Sequence, residues 1–215
     1  TIIEGWTRWD IARAVAQVPQ FGLTSEAQAL ELMDNVSLIS DLDPEAKNLE
    51  GYLFPDTYEF SPETRPDELV EMMVKRFREV WKPDWTERAR SLSFSPRQIV
   101  TTASIIETEA KLADERPLVA SVIYNRLKKG IPLAVDSSIV YASKLEGKWR
   151  YDGKVYRSDI ERRSPYNTRI YAGLPPGPVA SPGESSASTW LSRRPDASKA
   201  GRGRRHISTQ ALMQS

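Results

Sequence analysis

The sequence predicts an α+β chain, with a small α/β subdomain over residues 1–60 followed by a mainly helical domain with short strands over 61–191. Three observations predict it. Apolar residues recur at helical spacing in successive stretches. One of these opens with Ser95-Pro96-Arg97-Gln98, where Ser95 suits the cap, Pro96 the first helical position and Gln98 a capping box. The segment from 49 to 60, by contrast, is dense in aromatics and broken by Pro55, so it reads as extended chain.

In order, Thr1-Ile2-Ile3 reads as a strand, and the chain begins inside it, so a preceding segment is expected. After the possible cap Thr7, a stripe of Ile11, Ala14, Val15 and Val18 predicts a helix that Pro19 ends. A second helix is predicted from Ser25 to Asn35, burying Ala29, Leu32 and Met33. The next, Asp67 to Trp81, carries Leu69, Met72, Met73, Phe77 and Val80, with Pro83 as its stop. The helix begun at Ser95 runs through Ile99, Ala103, Ile106 and Ala110. Another covers Arg116 to Lys129 and stops at Gly130. Asp136-Ser137-Ser138 can start a short helix through Tyr141, and Tyr151 to Tyr156, around Asp152-Gly153, reads as a hairpin. Gly173-Leu174-Pro175-Pro176-Gly177-Pro178 is a stiff loop. Residues 192–215 form a basic tail with little apolar content, read as solvated.

Composition narrows the chemistry. At 215 residues, 40% hydrophobic and 27% charged, the chain can bury a core. Thirty Lys and Arg against 29 Asp and Glu leave a net charge of +1, so nothing draws the whole molecule to nucleic acid or an anionic membrane. The lack of cysteine excludes disulfides, thiolate catalysis and Cys-ligated zinc. His206 is the only histidine, so neither a His-based triad nor a multi-His metal site can form within one chain. Nothing in the sequence asks for a cofactor or metal. No apolar run reaches the roughly 20 residues that span a bilayer, and no signal peptide opens the chain. Acid/base chemistry falls to carboxylates.

Glu107 is the first of these to weigh. It projects beside the apolar stripe of its helix, where lost water favours the neutral acid, and a protonated carboxyl can donate to a leaving glycosidic oxygen. The alternative is a core-edge carboxylate satisfied by Arg116 or Arg126. Glu109 lies roughly 200° around the helix and is expected to be exposed or structurally paired.

Five segments, in order and at matching spacing, resemble the endolytic murein transglycosylase (YceG-like) family. They are Leu49-Glu50-Gly51-Tyr52-Leu53-Phe54-Pro55-Asp56-Thr57-Tyr58; Ala103-Ser104-Ile105-Ile106-Glu107-Thr108-Glu109; Val119 through Leu127; Ser164-Pro165-Tyr166-Asn167-Thr168; and Gly173 through Pro178. The resemblance covers about residues 1 to 190. It implies a LysM-like first subdomain and a helical catalytic domain. It also implies cleavage of the β-1,4 bond between N-acetylmuramic acid and N-acetylglucosamine within peptidoglycan strands, leaving a 1,6-anhydro-muramic end. Glu107, first of the Ile-Glu-x-Glu pair, matches the family's catalytic Glu. Peptidoglycan glycan is the implied partner and nucleic acid is not; cell-wall synthases are the protein partners left open. Action is implied outside the bacterial inner membrane, on a tether through an N-terminal helix that this chain does not contain.

The mechanism suits one carboxylate. Ordinary glycosidases need two, whereas here the substrate's own C6 hydroxyl replaces water. Among the matched residues, Asn125 and Arg126 can orient Glu107 or bind the acetamide, and Tyr166, Asn167 and Thr168 offer groups for sugar contacts. Against this, Arg126 can equally pair with a surface acid, and the 164–168 segment can simply be a turn. Asp136 is a possible second carboxylate or a helix cap, and Glu115 a first-turn carboxylate. Trp6, Trp9, Tyr52, Phe54 and Tyr58 read as core rather than as sugar platforms. After Trp190 the family's aromatic strand pair is missing, and His206 reads as a tail residue. Two alternatives stay open: a non-catalytic wall-binding or scaffold module, and a hydrolytic muramidase with Asp136 about 5–9.5 Å from Glu107.

Overall fold

Helix α5 (Pro96–Glu109) is the axis around which the other elements gather. The structure is a computed structural model and describes residues 1–192. Every residue of α5 from Ile99 to Ile106 is buried, not only the expected stripe. The polar members can sit there because their hydroxyls bond back along the helix: Thr101 Oγ1 donates to Arg97 O, Thr102 Oγ1 to Gln98 O and Ser104 Oγ to Thr101 O, each at 2.8 Å. The helix starts as its sequence predicts, with Ser95 Oγ accepting from Gln98 N and Gln98 Oε1 from Ser95 N.

Four helices pack on α5: α4 (Pro83–Ser91), α6 (Arg116–Lys129), α7 (Asp136–Leu145) and α9 (Glu184–Leu191). Trp190 of α9 lies between the rings of Phe94 and Tyr124, at centroid distances of 5.6 and 6.4 Å. Upstream, α1 (Arg8–Ala16) packs on α2 (Glu26–Leu32), and α2 on α3 (Pro66–Val80). One buried cluster runs from Ile2 to Leu191 and draws on both sides of residue 60. Tyr52 and Phe54 are in it, with Trp6, Trp9 and Tyr58 packed against it, as expected of core aromatics.

The helices expected from periodicity form, with small shifts at their ends; α6 matches its expected span, and Gly130 closes it at φ 64°. Helices α4 and α9 carry no such expectation. Pro83, read as a stop, is also the first residue of a new helix, a position proline favours.

The expected short strands do not form: among the described residues there is no β-strand. Thr1–Ile3 and 49–60 approach each other, but the bond from Ile2 N–H to Asp56 O (2.9 Å) starts no ladder, because Pro55 lacks a donor and Gly51 turns the chain at φ 83°. The expected hairpin at 151–156 is instead a local turn that leads into the short helix α8 (Arg157–Ile160). Tyr151 and Gly153 take positive φ, and Asp152 accepts from Lys154 N at 3.0 Å and from the Tyr156 hydroxyl at 2.6 Å. Apart from Ser192, the basic tail, His206 included, lies outside the described residues.

Candidate functional site

The stiff loop continues as a strap along α5. Pro176 O accepts from Arg97 Nε (2.6 Å), Val179 N donates to Ser104 Oγ (3.0 Å), and Gly183 N donates to Glu107 Oε2 (2.9 Å). The N-terminal segment locks onto the strap: Gly5 N donates to Ser181 O at 2.8 Å and Ser181 N to Trp6 O at 2.7 Å. Glu107 therefore lies where α5, the strap and residues 4–6 converge.

Its side chain is only 6% exposed and fully engaged as an acceptor. Oε1 takes a bond from Arg116 Nη2 (3.1 Å), while Oε2 takes bonds from Gly183 N and from Ser186 Oγ (2.8 Å). Arg116 Nε also contacts Ser186 Oγ, at 3.2 Å. The sequence suggested a carboxyl against apolar neighbours; the structure gives a carboxylate cradled by a cation, an amide and a hydroxyl. Arg116, named from the sequence as a structural partner, is that cation. Arg126 instead turns to the loop before α7 and donates to Pro132 O at 2.8 Å.

A second carboxylate shares the guanidinium. Glu4 Oε2 lies 3.6 Å from the same Arg116 Nη2. Loss of water on partial burial, then the charge of Glu107, push the Glu4 carboxyl above its ordinary range, against the pull of Arg116. Gly183 separates the acids: its N–H points at Glu107, and a Cβ there would collide with the Glu4 carboxylate. Nothing in the sequence patterning marks Glu4, Gly183 or Ser186, because contacts across 76 to 79 positions leave no local signal.

The other candidates disperse. Asp136 does not cap α7, which Val135 precedes; it is the first helical residue and pairs with Arg169 at 2.8 Å. Glu109 is half-buried rather than exposed. It accepts from Ser137 Oγ at 3.3 Å, and burial, with the charge of Asp136, raises its carboxyl above the usual range. Glu115 accepts from Lys111 N and Leu112 N and shapes the turn into α6. Asn125 is exposed on α6. Asn167 is fully buried and donates to Ile160 O and Arg162 O. Thr168 is buried against Val135 N and Ser138 Oγ. These contacts hold the turn; Tyr166, between them and the strap, packs its ring 4.8 Å from that of Tyr141 and keeps its hydroxyl near Gly177.

Glu50, not weighed from the sequence, is buried beneath the N-terminus of α1, where both carboxylate oxygens accept from Arg8 N at 3.0 and 3.3 Å. Burial pushes its carboxyl up to about 7. Among the described residues no group of His, Cys, Asp and Glu is arranged to hold a metal ion, and no helix is long and apolar enough to cross a membrane.

The model of the YceG-like family matches residues 1–196. An endolytic murein transglycosylase of Bacillus subtilis is 36% identical over 204 residues, covering 86% of this chain and 53% of that protein. One from Streptococcus pneumoniae is 32% identical, covering 85% of this chain and 36% of its own. The crystal structure of a yceG-like protein from Listeria monocytogenes superposes with a TM-score of 0.75 at 34% identity, over 88% of this chain and 64% of that one. The chain thus spans about half, or less, of the curated relatives it matches.

Proposed function

Because the chain belongs to the YceG-like family, we propose that it cleaves the β-1,4 bond between N-acetylmuramic acid and N-acetylglucosamine within peptidoglycan strands, as a lytic transglycosylase with Glu107 as its acid/base. The observation that carries this is the cradle of Arg116, Gly183 N–H and Ser186 around one enclosed carboxylate. Glu107 donates its proton to the glycosidic oxygen as the bond to C1 breaks. The C6 hydroxyl of the same muramic residue then attacks C1, and its proton returns to Glu107. Atoms and charge balance without water, and the attack is intramolecular, so positioning supplies much of the rate.

Arg116 orients Glu107 by pairing with it, and the same nitrogen lies within reach of Glu4, so one guanidinium serves both carboxylates. Asn167 and Thr168 serve the substrate through the placement of Tyr166. Residues 1–60 act as a LysM-like subdomain laid on the helical domain of 61–191, the approach of Ile2 to Asp56 marking where its two extended segments meet. The substrate is extracytoplasmic, so action outside the inner membrane, beside the wall synthases, follows from the same reading.

The deciding experiment is mass spectrometry of digested peptidoglycan. Anhydro-muramic ends that vanish in Glu107→Gln support the assignment, and their persistence overturns it. A second reading, hydrolysis by a muramidase, is favoured by Glu4 rather than Asp136, since Glu4 is the acid that shares Arg116 with Glu107. It predicts reducing ends in place of anhydro ends.

A further inference from the structure

A separate cavity of about 620 Å³ opens at the other end of the strap. Arg97, in its wall, and Glu107 are ten positions apart on one helix, which places them about 15 Å apart along it. The volume lies in the range of small-molecule sites, about 300–1,000 Å³, and the walls are fixed. Asp43, 2% exposed, takes Arg97 Nη1 on both oxygens at 2.8 and 3.0 Å and the Tyr52 hydroxyl at 2.7 Å. Arg97 also holds Pro176 O. Gly177 permits the approach of loop, arginine and tyrosine: a Cβ there would lie 2.9 Å from Arg97 Nη2 and 3.1 Å from the Tyr166 hydroxyl.

The chemistry of these walls selects the ligand. The lining carries three carboxyls, Asp43, Glu45 and Glu50, against two cations, Arg97 and Lys47, and Asp43 already takes Arg97, so no surplus of positive charge selects a phosphate or carboxylate. What it offers is the Tyr166 ring and hydroxyl and the Asn48 amide. An aromatic surface beside neutral donors and acceptors suits a pyranose, whose apolar ring face packs on an aromatic while hydroxyls and acetamide bond around its rim. We propose that this cavity is a second glycan subsite, remote from Glu107, that takes an N-acetylhexosamine unit of the same strand. The assignment rests on the glycan-cleaving reading, and its test separates the two.

The experiment titrates ¹⁵N-labelled Glu107→Gln protein with chitotetraose and follows amide shifts. Saturable shifts at Asn48, Glu50, Tyr52, Tyr166 and Gly177 are expected. Affinity should fall at least about threefold in Tyr166→Phe and in Asn48→Ala, the loss of one hydrogen bond each, with the remaining amide spectrum unchanged. Shifts confined elsewhere, affinities unaltered in both variants, or no binding at millimolar tetramer overturn the subsite. Peptidoglycan cleavage by the unsubstituted protein is measured alongside. Cleavage without cavity binding overturns the subsite alone. Cavity binding without cleavage overturns the catalytic reading and supports the subsite.

Discussion

Glu4 and Glu107 share one nitrogen of Arg116, at 3.6 and 3.1 Å, with Gly183 between them. The N-terminal segment thereby reaches the C-terminal end of the central helix, and the charge of Glu107 helps hold the Glu4 carboxyl above its ordinary range.

Replacing Glu107 by Gln removes the proton cycle and leaves one acceptor oxygen where the carboxylate offers two, so either Arg116 or the Gly183 and Ser186 pair loses its acceptor. Glycan cleavage should fall by about 10²–10⁴-fold, the usual worth of general acid–base catalysis, with a cooperative unfolding transition retained. Product counting and thermal unfolding check both halves.

Glu4→Gln takes away one of the two carboxylates that share Arg116 and leaves the guanidinium to Glu107 alone. The pH–rate profile for cleavage should move, because the raised carboxyl of Glu4 no longer titrates beside the site. Gly183→Ala should shift the profile the same way, because its Cβ occupies the place of the Glu4 carboxylate and drives that side chain off. An unmoved profile in both variants removes Glu4 from the mechanism.

Glu50 makes stability depend on pH. Its carboxyl is raised from 4.5 to about 7 in the fold, so the folded state binds a proton more tightly than the unfolded chain. Its contribution is fully present below about 4.5 and is lost as pH rises through about 7. The span corresponds to about 3 kcal/mol at 1.36 kcal/mol per pH unit. Urea unfolding between pH 4.5 and 8 should show this decline, and Glu50→Gln should flatten it.

Gly51 turns at φ 83°, and a Cβ there would sit 2.5 Å from Pro178 Cβ and 2.9 Å from Val100 Cγ1. Gly51→Ala combines a left-handed backbone with a steric clash and should cost about 3 kcal/mol. Chemical denaturation measures it.

What was legible in the sequence has a common cause. The start of α5 is written in four adjacent residues, and the stripes of α3 and α6 repeat every turn, so local chain chemistry is enough to read them. Glu107 was legible because its place beside Ile106 and Ala103 is a property of one helix, joined to a motif order resembling one family. Aromatic density at 49–60 predicts strands, but it signals burial as well as pairing. Tyr52 and Phe54 are buried, yet no partner strand lies beside them. For Asn167 and Thr168 the sequence leaves two readings, sugar contact or turn; in the fold their side-chain groups bond within the turn and to the start of α7.

The sequence by itself pointed to the helices that carry apolar stripes, excluded thiol and multi-histidine chemistry, and singled out Glu107 as the acid of the reaction we propose. Only the tertiary structure decided what surrounds that acid. Arg116 lies nine positions from it, but Gly183 and Ser186 lie 76 and 79 positions away, and Glu4 at the far end of the chain. Their meeting depends on the strap lying along α5 and on the Gly5–Ser181 lock. Such long-range contacts are set by packing, not by periodicity, and only the folded chain shows them.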